Sequence, residues 1–121
     1  MVFGYRIHSR AGGADGMQVH DDGRVELGGD QDRWEPLTRL DSAGVAELSE
    51  AVRRSGILAL PERTPAPPNI KDGDTAELWS DLDGGTHAFV DGWTDGNAAA
   101  EPSLALVMTL SRLVTAAQAA G

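Results

Sequence analysis

The amino-acid sequence predicts an α+β domain: an antiparallel sheet of about four to five strands with two helices packed on one face. Three observations lead there. Apolar and polar residues alternate with period two in several short stretches, the mark of a half-buried strand. Apolar residues recur at helical spacing in two longer ones, 42–55 and 102–119. Each helical stretch follows a group of strands, and two helices suffice to cover one face of such a sheet around a single core.

The elements justify themselves in chain order. In "VFGYRIH" (2–8), Phe3, Tyr5 and Ile7 alternate with Gly4, Arg6 and His8. The glycine-rich "SRAGGADG" (9–16) is expected to be too flexible for a regular element. "MQVHDDGRVELGG" then reads as a hairpin turning at Asp22–Gly23, which closes a β-hairpin region over 2–28. "RWEPLTRL" (33–40) is ambiguous, because Pro36 confines any strand there to an edge. Asp41 is a ready N-cap for a helix over 42–55, with Val45, Leu48, Ala51 and Val52 on one face and Gly56 as the stop. "ILAL" after it is expected to be a short buried strand or an extended entry to the next loop.

That loop, "PERTPAPPNIKDGD" (61–74), carries four prolines in eight positions. A second hairpin follows over 75–93, turning at Asp83–Gly84–Gly85. Here Ala76, Leu78, Ser80 and Leu82 point one way, and Glu77, Trp79 and Asp81 the other. Pro102 suits a first helical turn, and Leu106, Val107, Leu110, Leu113, Val114 and Ala117 give the last helix one broad apolar face.

Length and composition narrow the function. A chain of 121 residues is one domain with a modest core. With three Trp, two Phe and one Tyr, that core must rest on Leu, Val and Ala. A net charge of −9 argues against nucleic acid, whose binders need a basic face, and against anionic membranes. The Arg53–Arg54 pair reads as cations complementing a helix C-terminus rather than a phosphate site. The absence of cysteine excludes disulfides, thiol catalysis and thiolate zinc sites. "MVFGYRIHSR" has no charged segment followed by a long apolar one, so no signal peptide is expected. No apolar run approaches a membrane span, and a cytoplasmic location follows as the expectation. Abundant Ala, Gly, Asp and Arg against a single Lys suggest a high-GC bacterial genome.

Chemical motifs are missing. His8, His20 and His87 fall on separate strands without zinc-ligand spacing, although His8 and His20 would be neighbours on the polar sheet face if their strands pair. The acidic turns at 72–74 and 81–85 fail the calcium-loop frame, which needs Gly at the sixth position and Glu at the twelfth. "AGGADG" opens no helix, so it is no phosphate cradle, and no serine sits in a nucleophile elbow. No metal, no cofactor and no catalytic residue is assigned; the expectation is a protein without enzymatic activity.

The proline loop is left as the most conspicuous feature. "TPAPPN" favours polyproline II geometry, and a stiff loop loses less entropy on docking. It serves either as a spacer between the helix layer and the second hairpin or as a presenting surface.

The order of elements, with "SRAGGADG" after the first strand, "LDSAGVAEL" leading to "SGILALPE", the proline patch, Asp74 and the "DGG" hairpin, resembles the emfourin family, small bacterial inhibitors of thermolysin-like zinc metalloproteases of the protealysin type. The resemblance covers most of the chain through soft motifs. The chain departs from the pattern in lacking a large apolar residue in its first loop and in the five residues "NIKDG" between Pro68 and Asp74. The resemblance implies a non-enzymatic inhibitor of an intracellular protease. A protease inhibitor or another protein-binding regulator would draw its contacts from the two loops: Gly12, Gly13, Ala14 and Asp15 in the first, Pro67, Pro68, Ile70 and Asp74 in the second. Its partner would be a protein, a thermolysin-like protease. Two other classes stay open: a small-molecule binder or enzyme using the open sheet face with Trp79, Trp93, His87 and Arg6, and a dimerising module.

Overall fold

A computed structural model of the chain describes residues 1–70, 73–94 and 97–120. Strands β1 (Phe3–His8), β2 (Ala14–Val19), β3 (Arg24–Gly28) and β4 (Trp34–Arg39) form an antiparallel meander. Helix α1 (Ser42–Ser55) follows, then β5 (Arg63–Thr64), the hairpin of β6 (Asp74–Ser80) and β7 (Thr86–Trp93), and helix α2 (Glu101–Ala120). The α+β class and the two helices agree with the sequence. The sheet does not: among the described residues it has seven strands rather than four to five, in the order β4-β3-β2-β1-β6-β7-β5, and it is mixed. The parallel pair is β5 with β7, placing Arg63 opposite Phe89 and Thr64 opposite Val90. A two-residue strand has no periodicity to read, so only tertiary pairing reveals it.

Three smaller expectations also change. Ala14, Asp15 and Gly16 belong to β2 rather than to a flexible loop, paired with His8, Ile7 and Arg6. Ile57–Ala59 is a turn of 3-10 helix, not a strand. The ambiguous 33–40 stretch is the edge strand β4, where Pro36 lies on the outside of the sheet as its missing N–H requires.

Register decides which face each side chain takes. Tyr5 opposes Leu78 and Met17, and Phe3 opposes Val19, so these side chains share one face with Ala76, Val25 and Val90. Leu48 and Val52 of α1 and Leu106, Leu110, Leu113 and Val114 of α2 close over that face in one buried cluster. By length and composition alone the 20-residue α2 is apolar enough to cross a membrane, contrary to the expectation that no run would be; here its apolar stripe packs on the sheet.

Asp41 caps α1 as expected, its carboxylate accepting from the Gly44 amide at 2.8 Å. Replacing it by Ala should cost about 1 kcal/mol in urea unfolding, and no measurable loss would deny the cap its role.

Candidate functional site: the loop end and the open sheet face

The antiparallel register gathers several connections at one end of the sheet. His8, the last residue of β1, opposes both Ala14, the first of β2, and Thr75 near the start of β6. The 9–13 turn and the segment entering β6 therefore leave neighbouring strands side by side. Gly16 opposes Gly28, so the 29–33 turn between β3 and β4 emerges at the same end.

Within the first turn, Gly12 and Gly13 are exposed, and the turn is closed by Gly12 N–H to the Ser9 carbonyl at 3.0 Å and Ser9 N–H to Gly13 at 3.1 Å. Ala14 is buried, with its amide donating to Asp30 Oδ1 at 3.2 Å, so it offers a partner little surface. Asp15 is exposed.

The proline segment is anchored rather than free. The Phe89 amide donates to the Glu62 carbonyl at 2.9 Å, and β5 continues that pairing. Pro67 accepts from the Ile70 amide at 3.0 Å, forming a turn with exposed Pro68 in the position where proline is favoured. Ala66 and Ile70 pack so closely on Gly92 that a Cβ there would press on both. Ile70 is thus half-buried support and Pro68 the tip. Asp74 is half-buried at the start of β6, opposite Trp93. Lys71 and Asp72 of this stretch lie outside the described residues, as do Asp95 and Gly96 in the connection after β7.

The sheet face away from the helices carries a constellation that includes the expected Arg6, His87 and Trp79 and adds Glu77 and His8. Glu77, only 4% exposed, sits at its centre on β6. Arg6 opposes it across β1, while His8 opposes Thr75 and His87 opposes Trp79, two positions to either side. Arg6 Nε donates to Glu77 Oε1 at 2.6 Å; His8 Nε2 lies 2.8 Å from Oε1 and His87 Nε2 2.5 Å from Oε2. Burial pushes the Glu77 carboxyl up, but hydrogen bonds from Arg6, His8 and His87 outweigh it and hold the group down at about 2. Glu77 is therefore an anion at neutral pH, and both histidines must donate to it through Nε2.

Aromatic rings surround the cluster. Trp79 lies across Gly4, where the missing Cβ leaves room for the indole. It meets Trp34 edge-on at 5.9 Å and His87 at 6.1 Å between centroids, with the Arg6 guanidinium 5.6 Å from its own ring. His87 stacks on Phe89 at 5.5 Å, and Arg63 covers Phe89 at 4.9 Å.

His8 and His20 are not neighbours. Phe3 pairs with Val19, so His20 stands at the opposite end of these strands from His8 and bonds Glu26 instead. Trp93 also leaves the expected group: it faces the helix layer and donates to Ser103 Oγ at 2.8 Å. Among the described residues, no group of three His, Cys, Asp or Glu is arranged to hold a metal ion. Two shallow grooves of about 520 and 560 Å³ lie along the helices, and neither is lined by Trp79 or Trp93.

Arg6, His8, Glu77 and His87 all stood on polar strand positions in the sequence, which was their only signal. Uniting them required the pairing of β1 with β6, which brings together Arg6 and Glu77, 71 residues apart. No protein-family model matches the chain, nor does any curated protein or solved structure.

Proposed function

We propose that this domain is a non-enzymatic, protein-binding regulator that inhibits a bacterial zinc metalloprotease inside the cell by inserting the loop end of its sheet into the protease cleft. The observation that carries this reading is that the 9–13 turn and the proline segment leave the same end of the sheet, His8 opposing Thr75 on β1 and β6 and Ala66 and Ile70 packing on Gly92 of β7. Two separate loops so placed face the same direction. Anchoring through β5 and the Pro67–Ile70 turn adds to it, because a pre-ordered loop loses little entropy on docking. The resemblance to the emfourin family points to a thermolysin-like target.

The test is a titration of such a protease with the purified domain. Stoichiometric loss of protease activity is expected. Pro68→Asp, at the exposed tip, should weaken inhibition at least about 100-fold, a loss of roughly 3 kcal/mol in binding, with the melting temperature unchanged. Pro68 is a better probe than Ile70, whose packing on Gly92 makes Ile70→Asp a stability mutation as well. Full inhibition by Pro68→Asp would remove the proline loop from the interface. No inhibition by excess folded domain would remove this protease class.

The meeting of Arg6, His87 and Trp79 favours a second reading, a small ligand stacked on the open sheet face. A small-molecule screen by NMR decides it: shifts confined to that face of β1, β6 and β7 would support a ligand, and their absence across the screen would count against one.

A further inference from the structure

Helix α2 is more apolar than its place on the sheet requires. Of its 20 residues, Ser103, Leu106, Leu110, Leu113 and Val114 are buried. The opposite side is exposed and carries Glu101, Ala105, Met108, Arg112, Thr115 and Ala119. Their steps of four, three, four, three and four positions repeat every 3.5 residues, the period of a seam that packs along a second helix. Met108, within this stripe, is 71% exposed, the most exposed large apolar side chain among the described residues. Beside the stripe runs the groove of about 520 Å³ along the helices, whose lining includes the small or compact Ala51, Ala98, Pro102 and Ala105. A protruding thioether, flexible enough to fill irregular gaps, thus stands about one helical turn from a recess on the same surface.

Charge selects the occupant. Glu101 and Arg112 are the only charged residues of α2, eleven positions apart on the exposed stripe. Two copies of α2 packed antiparallel about a two-fold axis between residues 106 and 107 bring Glu101 opposite Arg112 twice and Met108 opposite Ala105 twice. A parallel pair in register would set Glu101 against Glu101 and Arg112 against Arg112. A two-fold contact needs a self-complementary patch, and the antiparallel stripe is one. Arg112 already holds Glu47 of α1, but a guanidinium has five N–H donors and accommodates both carboxylates. A lipid surface fits less well, since the stripe carries two charges and the chain a net charge of −9.

We propose that the outer face of α2 is a dimer surface covered by a second copy of this chain. The two helices run antiparallel, Met108 of each copy seats against Ala105 in the groove of the other, and Glu101 pairs with Arg112. The contact uses the helix layer and leaves the open sheet face uncovered.

Sedimentation of the purified domain from micromolar to near-millimolar concentration is the test. The wild type should pass from the monomer mass to twice that mass as concentration rises. Met108→Asp should weaken association at least about 30-fold, with the far-UV circular dichroism unchanged because the side chain lies outside the core. Glu101→Arg and Arg112→Glu should each weaken self-association about tenfold. An equimolar mixture of those two variants should recover it, because each copy then supplies the charge that the other lacks. A monomer at every concentration would overturn the proposal, as would a dimer indifferent to Met108→Asp. A mixture no tighter than its components would overturn the antiparallel pairing. A monomer that floats with phosphatidylcholine vesicles would assign the face to a lipid surface instead and overturn the dimer. No protease enters the measurement, so the dimer and the inhibitor reading stand or fall separately.

Discussion

Glu77→Ala is expected to lower the unfolding free energy by about 3 kcal/mol, the low end of the loss on breaking a buried ion pair. The carboxylate is 4% exposed and ties β1, β6 and β7 together through Arg6, His8 and His87. Its removal leaves Arg6 partly buried with only Asp32 and the Gly29 carbonyl to hold it. Urea denaturation provides the measurement. Glu26→Ala is the control on the same face, where the half-buried carboxylate binds His20 and Gln18; it should cost under about 1 kcal/mol. Equal losses from the two variants would deny Glu77 a special role.

The same residue sets an acid dependence. Its folded-state pKa, about 2, lies below the ordinary 4.5, so its contribution is complete above pH 4.5 and is lost as the pH falls through 4.5 toward 2. The loss is on the order of 3 kcal/mol. Glu77→Gln cannot titrate and should show a shallower fall in stability across that window. Parallel curves for wild type and variant would refute the assignment.

Gly16→Ala is the second large effect. Gly16 is buried where β2 crosses Arg6 of β1, and a Cβ there would overlap the carbonyl of Tyr5. Backbone cannot rotate aside as a side chain can, so the two strands must separate. The expected loss is about 3 kcal/mol, which for a domain of this size lowers the melting temperature by on the order of 10 °C. A change under about 1 kcal/mol would mean the strands yield freely.

Gly16 also shows how far the sequence could be read. In "AGGADG" the glycines suggest a slack loop, yet Gly12 and Gly13 turn the chain while Gly16 lets two strands approach. Local composition cannot separate these uses, because close approach depends on a strand that is elsewhere in the chain. Pro36 was easier: proline within a sheet is confined to edges, strand starts or bulges, and β4 is an edge with a register shift beside Pro36. The candidate loops could be named from their composition. That they leave the same end of the sheet could not, and nor could the packing of Ile70 on Gly92.

By itself, the sequence determined the α+β class, both helices with the Asp41 cap, the two hairpins and the apolar faces of β1, β2 and β6. Those features depend on periodicity and short-range chemistry, which a few neighbouring residues carry in full. Only the tertiary structure decided that β1 lies beside β6, that two residues of the proline loop make a further strand, and that three polar residues, Arg6, His8 and His87, converge on one buried carboxylate. The reason is physical: strand pairing joins segments whose separation in sequence leaves no trace in either one, and the open face takes its chemistry from that pairing.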